Sequence, residues 1–209
     1  MDHEVALSEA PADSLPRKRK QMLEAATALF IERGYGAVSM DAVAKAAGVS
    51  KATLYAHFAS KDALFATIIG EACRNNLVAA EFYPADVEDV AAALTAIGGR
   101  VLRFLLAPQR LAIFRVVISE SARFPELGAA FMDNGPAAFR DRFVDWVTVQ
   151  TRAGHLRAND PKLAAEQFMA LLRSGIYLRA SLSLPPVPSD AEIDATVAAA
   201  VGTFLKAFG

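Results

Sequence analysis

The sequence predicts an all-α protein of about nine helices, and three observations lead to this prediction. Apolar side chains recur at helical spacing through most of the 209 residues, of which 54% are hydrophobic. Serines stand where predicted helices begin, and glycines or prolines stand where they end. No segment alternates apolar and polar residues between turn signals, as a half-buried strand would. The apolar fraction also suffices for a sizeable core and excludes a disordered chain.

The N-terminal part of the chain predicts an arm, one helix and then two short helices. Residues 1–16 contain four acids, two prolines and no base, and we expect them to be disordered. Gly34 supplies a stop for the first helix, while Ser39, Ser50 and Ser60 stand at the starts of the next three. The predicted helices here cover residues 17–33, 40–47, 51–57 and 61–83.

Prolines divide the rest of the chain into further predicted helices. Pro84, Pro108, Pro125 and Pro161 stand at the breaks, and the pair Gly135-Pro136 is expected to kink one helix. These helical patterns cover residues 86–106, 108–122, 125–152, 160–183 and 190–208. The expected organisation is an arm at 1–16, a head at 17–61 linked onward by the helix 61–83, and a body at 84–209.

Charge is distributed unevenly along the chain. The net charge is −1, but residues 17–61 hold eight bases and three acids, a balance of +5. A compact basic segment in an otherwise near-neutral or acidic chain suits binding to phosphate groups. A chance excess of basic residues would give the same charge balance. The motifs within the segment must therefore distinguish phosphate binding from chance.

Several classes of protein are excluded by what the sequence lacks. The single cysteine, Cys73, cannot form a disulfide framework, and the three histidines lie far apart, so we expect no metal and no cofactor. No apolar run approaches the ~20 residues of a membrane span, and the acidic N-terminus has no signal-peptide pattern. A soluble, cytoplasmic protein is therefore expected. Zinc-protease, phosphate-loop and nucleophile-elbow motifs are absent, which argues against an enzyme.

Residues 39–58, SMDAVAKAAGVSKATLYAHF, predict a helix-turn-helix. Only three residues separate the two short helices, and Gly48 among them can adopt a left-handed conformation at little cost. Val49 is apolar and is expected to plug a small core. Val43 and Ala44 of the first helix can then meet apolar residues of the second.

The second of these helices has an inner and an outer side. If Leu54 and Phe58 point inward one turn apart, Ala52 and Ala56 point outward with Thr53 beside them. Small outward side chains let a helix lie deep in a major groove of DNA. The threonine hydroxyl can then reach a base edge, and the methyl groups can touch a thymine methyl.

Polar residues around this outer side can reach phosphates. Lys51 in the first turn, Tyr55 and His57 on the flanks, and Lys61 at the next helix start are suited to such contacts, and so is Ser39. Two alternatives remain open at this point. Tyr55 could be a half-buried packing residue, and His57 could cap the helix C-terminus.

The segments ERGYGAVSM and AVAKAAGVSKATLYAHFASKDALF resemble the TetR family of transcriptional regulators. The resemblance covers about residues 17–70. It implies a dimeric DNA-binding protein with a three-helix head and a ligand-binding, dimerising body. Met40 departs from the Thr, Ser or Arg that the family often has there, so no phosphate or base contact is expected from it. The expected DNA-binding residues are Ser39, Ser50, Lys51, Ala52, Thr53, Tyr55, Ala56, His57 and Lys61.

The run Arg17-Lys18-Arg19-Lys20 places four cations at the start of a predicted helix. Such a run opposes the helix dipole and would be relieved by an anionic partner such as DNA. A solvated helix start or a disordered arm explains it equally well, so DNA contact by this run is left open.

The body offers candidates for dimerisation. The last two predicted helices carry apolar stripes, and the TetR family uses these helices for a four-helix dimer contact. One stripe could instead pack on the protomer's own core. The segment ESARFPELGAAFMDNGPA is also similar to the AefR-like branch of the family, without naming an inducer. The expected dimerisation residues are Leu171, Leu178, Ile193, Val197, Val201, Phe204 and Phe208.

Aromatic residues of the body are the candidates for lining a ligand cavity, although ordinary core aromatics have the same helical spacing. Arg103, Arg115 and His155 could add polar specificity, but solvated or salt-bridged roles suit them better. The candidate ligand-binding residues are Phe104, Phe114, Phe131, Phe139, Phe143, Trp146, Phe168 and Tyr177.

These features predict a homodimeric transcriptional regulator that binds a near-palindromic operator in double-stranded DNA. The favoured mechanism is a repressor that an unknown small, mostly apolar effector releases from its operator. Two alternatives are an activator of the same family and a helical protein-interaction module that does not bind DNA.

Overall fold

The computed structural model describes residues 14–209, and side chains at 17–79 and 81–209. Within residues 14–209 there are helices and turns but no strand, which confirms the all-α prediction, and about nine helices is close to the number found. The α-helices are α1 Ser14–Arg33, α2 Met40–Ala46, α3 Lys51–His57, α4 Lys61–Cys73, α5 Val90–Leu106, α6 Pro108–Glu120, α7 Pro125–Asn134, α8 Pro136–Arg152, α9 Pro161–Leu172, α10 Gly175–Ser181 and α11 Asp190–Phe208.

The N-terminal arm is largely beyond what the structure describes. Of the predicted disordered segment 1–16, residues 1–13 lie outside the described residues. Residues 14–16 are the first residues of α1, which begins at Ser14 and not at Arg17 as predicted. The basic run Arg17–Lys20 therefore lies within this helix.

The starts of the helices follow from acceptors in the sequence. The hydroxyls of Ser39, Ser50 and Ser189 accept backbone N–H groups at the beginnings of α2, α3 and α11, at 3.2, 3.0 and 3.2 Å. The carboxylates of Asp89 and Asp160 do the same for α5 and α9. Each cap satisfies N–H groups that have no partner inside the helix.

The described chain forms two compact units, one ending at Leu64 and the other beginning at Phe65. We call residues 14–64 the head and residues 65–209 the body. Helix α4 begins in the head and continues into the body. Each unit is described separately below.

The head is built around a small apolar core that α1, α2 and α3 share. Phe30, Tyr35 and Val43 are buried, as are Leu54 and Phe58, whose side chains are 0% and 3% exposed. The prediction that Leu54 and Phe58 point inward is confirmed. Between α2 and α3, Gly48 has a φ of 65°, a conformation that only glycine adopts without strain.

The predicted long helix 61–83 is wrong as a single α-helix. Helix α4 ends at Cys73, and a π-helix, Arg74–Val78, and a 3-10 helix, Ala80–Phe82, follow it. The Asn76 amide donates to the Ala72 carbonyl at 2.7 Å, and the Tyr83 hydroxyl donates to the Leu77 carbonyl at 2.6 Å. Side chains thus take backbone acceptors that a regular helix would use, which lets the backbone leave the α-helical path.

Two other long predicted helices are divided. The segment predicted as 125–152 breaks at Gly135, which lies between α7 and α8 and precedes the Pro136 that begins α8. The segment predicted as 160–183 breaks at Arg173 and Ser174, between α9 and α10. The kink expected at Gly135-Pro136 is thus a break between two helices, whereas the continuous helical spacing of apolar residues did not reveal the second break.

The core of the body is a stack of aromatic and aliphatic side chains from α5, α8, α9 and α11. The rings of Phe143 and Trp146 lie 5.7 Å apart, those of Phe143 and Phe168 5.3 Å, and those of Phe168 and Phe204 5.1 Å. At one end, the indole N–H of Trp146 donates to the Pro84 carbonyl at 2.9 Å. This stack holds the helices that surround the cavity described below.

Within residues 14–209, no single helix is long and apolar enough to cross a membrane. Helices α5 and α6 reach that length and composition only as a pair, and they bend by 65° at the break between them. Both helices contribute buried residues to the body, among them Leu102 and Ile113.

Candidate DNA-binding face and ligand cavity

Helix α3 presents a small, exposed surface, which we call the outer face of α3 and which consists of Ala52, Thr53, Tyr55 and Ala56. The two alanines are exposed, Thr53 is partly exposed, and the Tyr55 side chain is 43% exposed. Because Leu54 between them is fully buried, the helix is anchored on one side and open on the other. The exposure of Tyr55 argues against the alternative that it is a packing residue.

Ser50 and Thr53 are hydrogen-bonded to each other at the start of α3. Ser50 Oγ accepts the Thr53 backbone N–H at 3.0 Å, and the two hydroxyl oxygens lie 2.8 Å apart. The cap therefore holds the Thr53 hydroxyl in one place on the outer face. Its remaining hydrogen-bonding capacity is available to a base edge.

Lys51 is paired with an acid that the sequence analysis did not single out. Its Nζ lies 2.9 and 3.1 Å from the two carboxylate oxygens of Asp41, on the preceding helix. The hydrogen bond and charge of Asp41 raise the pKa of Lys51. Both side chains are exposed, so the pair is weak, and a phosphate could replace the carboxylate. The partner was missed because it lies on another helix.

Lys61 has an intramolecular role that the prediction did not include. Its Nζ donates to the carbonyls of Tyr35 and Val38, at 2.8 and 3.0 Å, and lies 4.2 Å from the centre of the Tyr35 ring. The Tyr35 hydroxyl in turn donates to Asp62. These bonds tie the start of α4 to the connection between α1 and α2, and so hold the head together behind α3.

The other predicted residues of the head lie around the same face. Ser39 is exposed and caps α2, while His57 is partly exposed and its ring lies 6.1 Å from that of Phe58. Met40 is buried. In the basic run, the Lys20 ammonium lies 3.8 Å from Glu24 one turn further on.

The body contains an apolar cavity of about 90 Å³ to which every α-helix from α4 to α10 contributes lining residues. Its wall is made largely of aromatic and aliphatic carbon, and burial raises the pKa of the one tyrosine in it. Among the candidate ligand-binding residues, those that line this cavity are Phe104, Phe114, Phe131, Phe139 and Tyr177.

Three of the candidate ligand-binding residues do not line this cavity. Phe143, Trp146 and Phe168 belong to the stacked core and are 0%, 3% and 0% exposed. Their rings contact one another and the rings of Phe139 and Phe204. Lining and core aromatics have the same helical spacing, and only the positions of the neighbouring helices separate them.

The polar groups at the cavity differ from those the sequence suggested. Arg110, Arg173 and Cys73 line it, and none of them was predicted. Arg103 and Arg115 instead contact other residues of the body, in accord with the expectation of solvated or salt-bridged roles. Arg103 pairs with Asp194 at 2.5 Å and Asp190 at 3.4 Å, and Arg115 donates to the carbonyls of Ala180 and Ser181. His155 Nδ1 lies 2.9 Å from Gln150 Oε1.

Most of the residues predicted for dimerisation are buried inside the protomer, where a second protomer cannot contact their side chains directly. Ile193, Val197, Val201 and Phe204 are at most 7% exposed and pack on α5 and α9 of their own chain. Leu171 and Phe208 are partly buried against the same core. Only Leu178, at 62% exposure, remains accessible. These large apolar side chains pack in the core of their own protomer. The periodicity of an apolar stripe does not show whether the stripe packs within one protomer or between two.

Within the described residues, no group of three or more His, Cys, Asp or Glu side chains could hold a metal ion. Cys73 is buried, and burial raises the pKa of its thiol. The chemistry of the two sites is therefore that of a small exposed helix face and an apolar cavity with cationic edges.

Comparison with known proteins covers both the head and the body. Residues 22–68 match the family described as bacterial regulatory proteins, tetR family. Residues 92–209, more than half of the chain, match the family described as AefR-like transcriptional repressor, C-terminal domain. The chain belongs to the TetR family. TetR-family regulators are non-enzymatic DNA-binding proteins that form dimers, so this is a DNA-binding transcriptional regulator.

Individual relatives agree with this assignment. The regulator BetI of Rhizobium meliloti is 29% identical over 184 residues, which span 87% of this chain and 86% of that protein. The activator FasR of Mycolicibacterium smegmatis is 49% identical over 57 residues, but these span only 26% of each chain.

Solved structures of the same fold cover nearly the whole chain. A TetR-family regulator from Mesorhizobium loti superposes with a TM-score of 0.81 at 27% identity, covering 96% of this chain and 100% of that one. The flavonoid-responsive regulator FrrA superposes with a TM-score of 0.76 at 36% identity, covering 92% and 97%.

Proposed function

We propose that this TetR-family protein is a repressor that a small, mostly apolar ligand releases from a near-palindromic operator. The observation that carries the proposal is the pairing of an exposed, small-residue outer face on α3 with an apolar cavity in the body. Because the target is DNA, we place the protein in the cytoplasm. Family membership argues against the alternative of a helical interaction module that does not bind DNA.

The outer face of α3 supplies the sequence preference in this proposal. Ala52, Thr53 and Ala56 contact base edges and thymine methyls in the major groove, and Tyr55 lies at the flank. Lys51, His57 and the start of α2 at Ser39 contact phosphates, which orient the head without reading sequence. Lys61 supports the face from behind through its two carbonyl contacts, and any phosphate contact that it makes is additional.

The family match of the body favours repression over activation, whereas the head does not distinguish the two. The body matches a family described as a repressor domain. The activator FasR resembles this chain over 57 residues only, a length similar to that of the head. A head reads DNA in either kind of regulator, so that likeness does not bear on the sign of regulation.

A dimer is required because two heads must occupy successive major grooves, about 34–36 Å apart. We propose that the dimer contact uses the exposed side of α11 together with exposed leucines near α10. Leu178, Leu182 and Leu184 are each more than half exposed, and Ala195, Ala198, Ala199 and Gly202 form an exposed small-residue side of α11. Small side chains allow two such helices to approach closely.

The cavity limits the size of the ligand. Cavities for drug-sized ligands occupy about 300–1,000 Å³, whereas this one has about 90 Å³. The effector is therefore small, or only part of it enters the cavity. Since FrrA is flavonoid-responsive and similar over most of the chain, a flavonoid is a reasonable first compound to test.

DNA recognition by α3 is tested with a bulky substitution on its outer face. Ala56→Leu should abolish binding to a palindromic fragment from the protein's own upstream region, because the added side chain keeps α3 out of the groove. Ala28→Leu makes the same change at an exposed position of α1 and should bind as wild type does. Fluorescence anisotropy measures both, with thermal unfolding as the check on folding. Wild-type binding by Ala56→Leu would overturn the site assignment.

Release by a ligand is tested by filling the cavity. Ala72 is 9% exposed and lines the cavity, so Ala72→Leu should reduce its volume without touching the outer face of α3. The variant should bind the operator as wild type does but resist release by a compound that displaces wild-type protein. If such a compound releases both proteins at the same concentration, the cavity is not where it acts.

A further inference from the structure

The apolar cavity adjoins a second, polar space in the body. This cleft has a volume of about 630 Å³ and lies between the segment around Asn76, helix α5 and the start of α6. Phe104 and Arg110 line both spaces, so the apolar cavity and the cleft adjoin at these two side chains. A ligand that enters from the cleft would pass them.

The cleft is cationic. Arg100, Arg103 and Arg110 line it, and no aspartate or glutamate lines either space among the described residues. Arg103 is neutralised by Asp190 and Asp194. Arg100 and Arg110 contact aromatic rings instead of carboxylates, with Cζ of Arg100 3.2 Å from the Phe82 ring centre and Cζ of Arg110 5.2 Å from that of Phe104.

Arg110 stands in an environment that disfavours its own charge. Burial lowers its pKa, and a negative charge on the Cys73 sulfur would act in the opposite direction. Arg110 also lies in the first turn of α6, which has no side-chain cap at Ala107. The N-terminus of a helix repels a cation and attracts an anion. An anion beside Arg110 would relieve the desolvation and the dipole repulsion together.

We propose that Arg110, with Arg100 beside it, forms an anion-binding subsite at the mouth of the cavity, and that the effector is an amphipathic organic anion. Its carboxylate lies in the cleft, and its apolar part passes Phe104 into the cavity. This assignment rests on the proposed function, since it takes the cavity as the effector site. It also reconciles a small cavity with a larger ligand, because the charged end stays outside.

The subsite is tested by calorimetry with two pairs of compounds on the full chain. Octanoate and 2-naphthoate are the anions, and octanamide and 2-naphthamide are their neutral counterparts. Wild-type protein should bind at least one anion about tenfold or more tightly than its amide, the range expected for a charged hydrogen bond. The two anions distinguish an aliphatic from an aromatic ligand.

Variants locate the effect. Arg110→Met keeps the apolar bulk and should lose the preference for the anion while binding the amide as wild type does, which also shows that it is folded. Arg110→Lys should keep part of the preference. Arg152→Met, which makes the same change at an exposed arginine of α8 that lines neither space, should keep it within about threefold.

The outcomes separate this inference from the proposed function. Equal binding of anion and amide to wild type, an undiminished preference in Arg110→Met, or binding of neither anion overturns the subsite. Anion binding that depends on Arg110 but leaves operator affinity unchanged supports the subsite and contradicts release by a ligand. Release of DNA by the amides alone contradicts the subsite and leaves the proposed repressor intact.

Discussion

The outer face of α3 and the cavity of the body are both made by helix side chains, yet their residues are distributed very differently. The face lies within Lys51–His57, whereas the lining of the cavity runs from Ile69 to Tyr177. One turn of helix places the residues of the face. The cavity exists only because several helices meet without filling the space between them. A local motif therefore identifies the first site and cannot identify the second.

The two sites also differ in how substitutions should act. Ala52 and Ala56 are exposed and bear on no core, so changing them should affect DNA binding and leave folding intact. Residues at the cavity, such as Phe139 at 3% exposure, belong to the packing of the body as well. Substitutions there change ligand binding and stability together. The predictions that follow test this contrast, from the largest expected effect to the smallest.

The largest effect is expected at Leu54, the buried residue that fixes α3 to the core of the head. Leu54→Ala removes a fully buried side chain from the core of the head and should cost about 2–5 kcal/mol. Operator binding should be lost, although no DNA contact is removed. Ile31→Ala, at a side chain that is 37% exposed in the same head, should cost about 1 kcal/mol or less. Thermal unfolding and anisotropy measure both, and equal losses would show that Leu54 is no special anchor.

A second test separates lining from core in the body. Phe139→Leu and Phe143→Leu make the same change at adjacent stacked rings, 5.9 Å apart, of which only the first lines the cavity. Each should cost about 1–3 kcal/mol in thermal unfolding. Only Phe139→Leu should alter the affinity for a cavity ligand, by about fivefold for roughly 1 kcal/mol of lost contact. A matching change in Phe143→Leu would remove the distinction between them.

Sequence preference should depend on one hydroxyl. Thr53→Ala should reduce the discrimination between the operator and a shuffled duplex by about 1–3 kcal/mol, because a base contact is lost. Binding to the shuffled duplex should hardly change. Thr95→Ala, at an exposed threonine of α5, is the matched control and should leave discrimination as it is. Competition binding would contradict the assignment if Thr53→Ala weakened both duplexes alike.

The smallest effect is expected from Lys51. Lys51→Gln should weaken binding to every duplex and lower the slope of log affinity against log salt by about 1, because one phosphate contact is lost. Asp41→Asn removes the competing carboxylate and should strengthen binding slightly, whereas Lys162→Gln in α9 should do nothing. Binding titrations at several salt concentrations measure this slope for each variant. An unchanged slope in Lys51→Gln would place Lys51 away from phosphate.

The sequence by itself determined the features that depend on neighbours a few residues away. Serines and glycines set the starts and ends of α2 and α3, and the spacing of Leu54 and Phe58 set which side of α3 is exposed. Capping, left-handed turns and helical periodicity are local, so a motif of about twenty residues carries them. Because these features lie within one short segment, the resemblance to the TetR family can be recognised from the sequence of that segment.

Only the tertiary structure decided which apolar stripe is core and which aromatic ring lines a cavity. The stripe Ile193–Phe204 of α11 was expected between protomers but lies against α5 and α9 of its own chain. The tertiary structure also decided that the Lys61 ammonium donates to two carbonyls and that Arg110 lines both the apolar cavity and the cationic cleft. Burial and charge pairing depend on residues distant in sequence, and periodicity along one helix holds no information about what faces it.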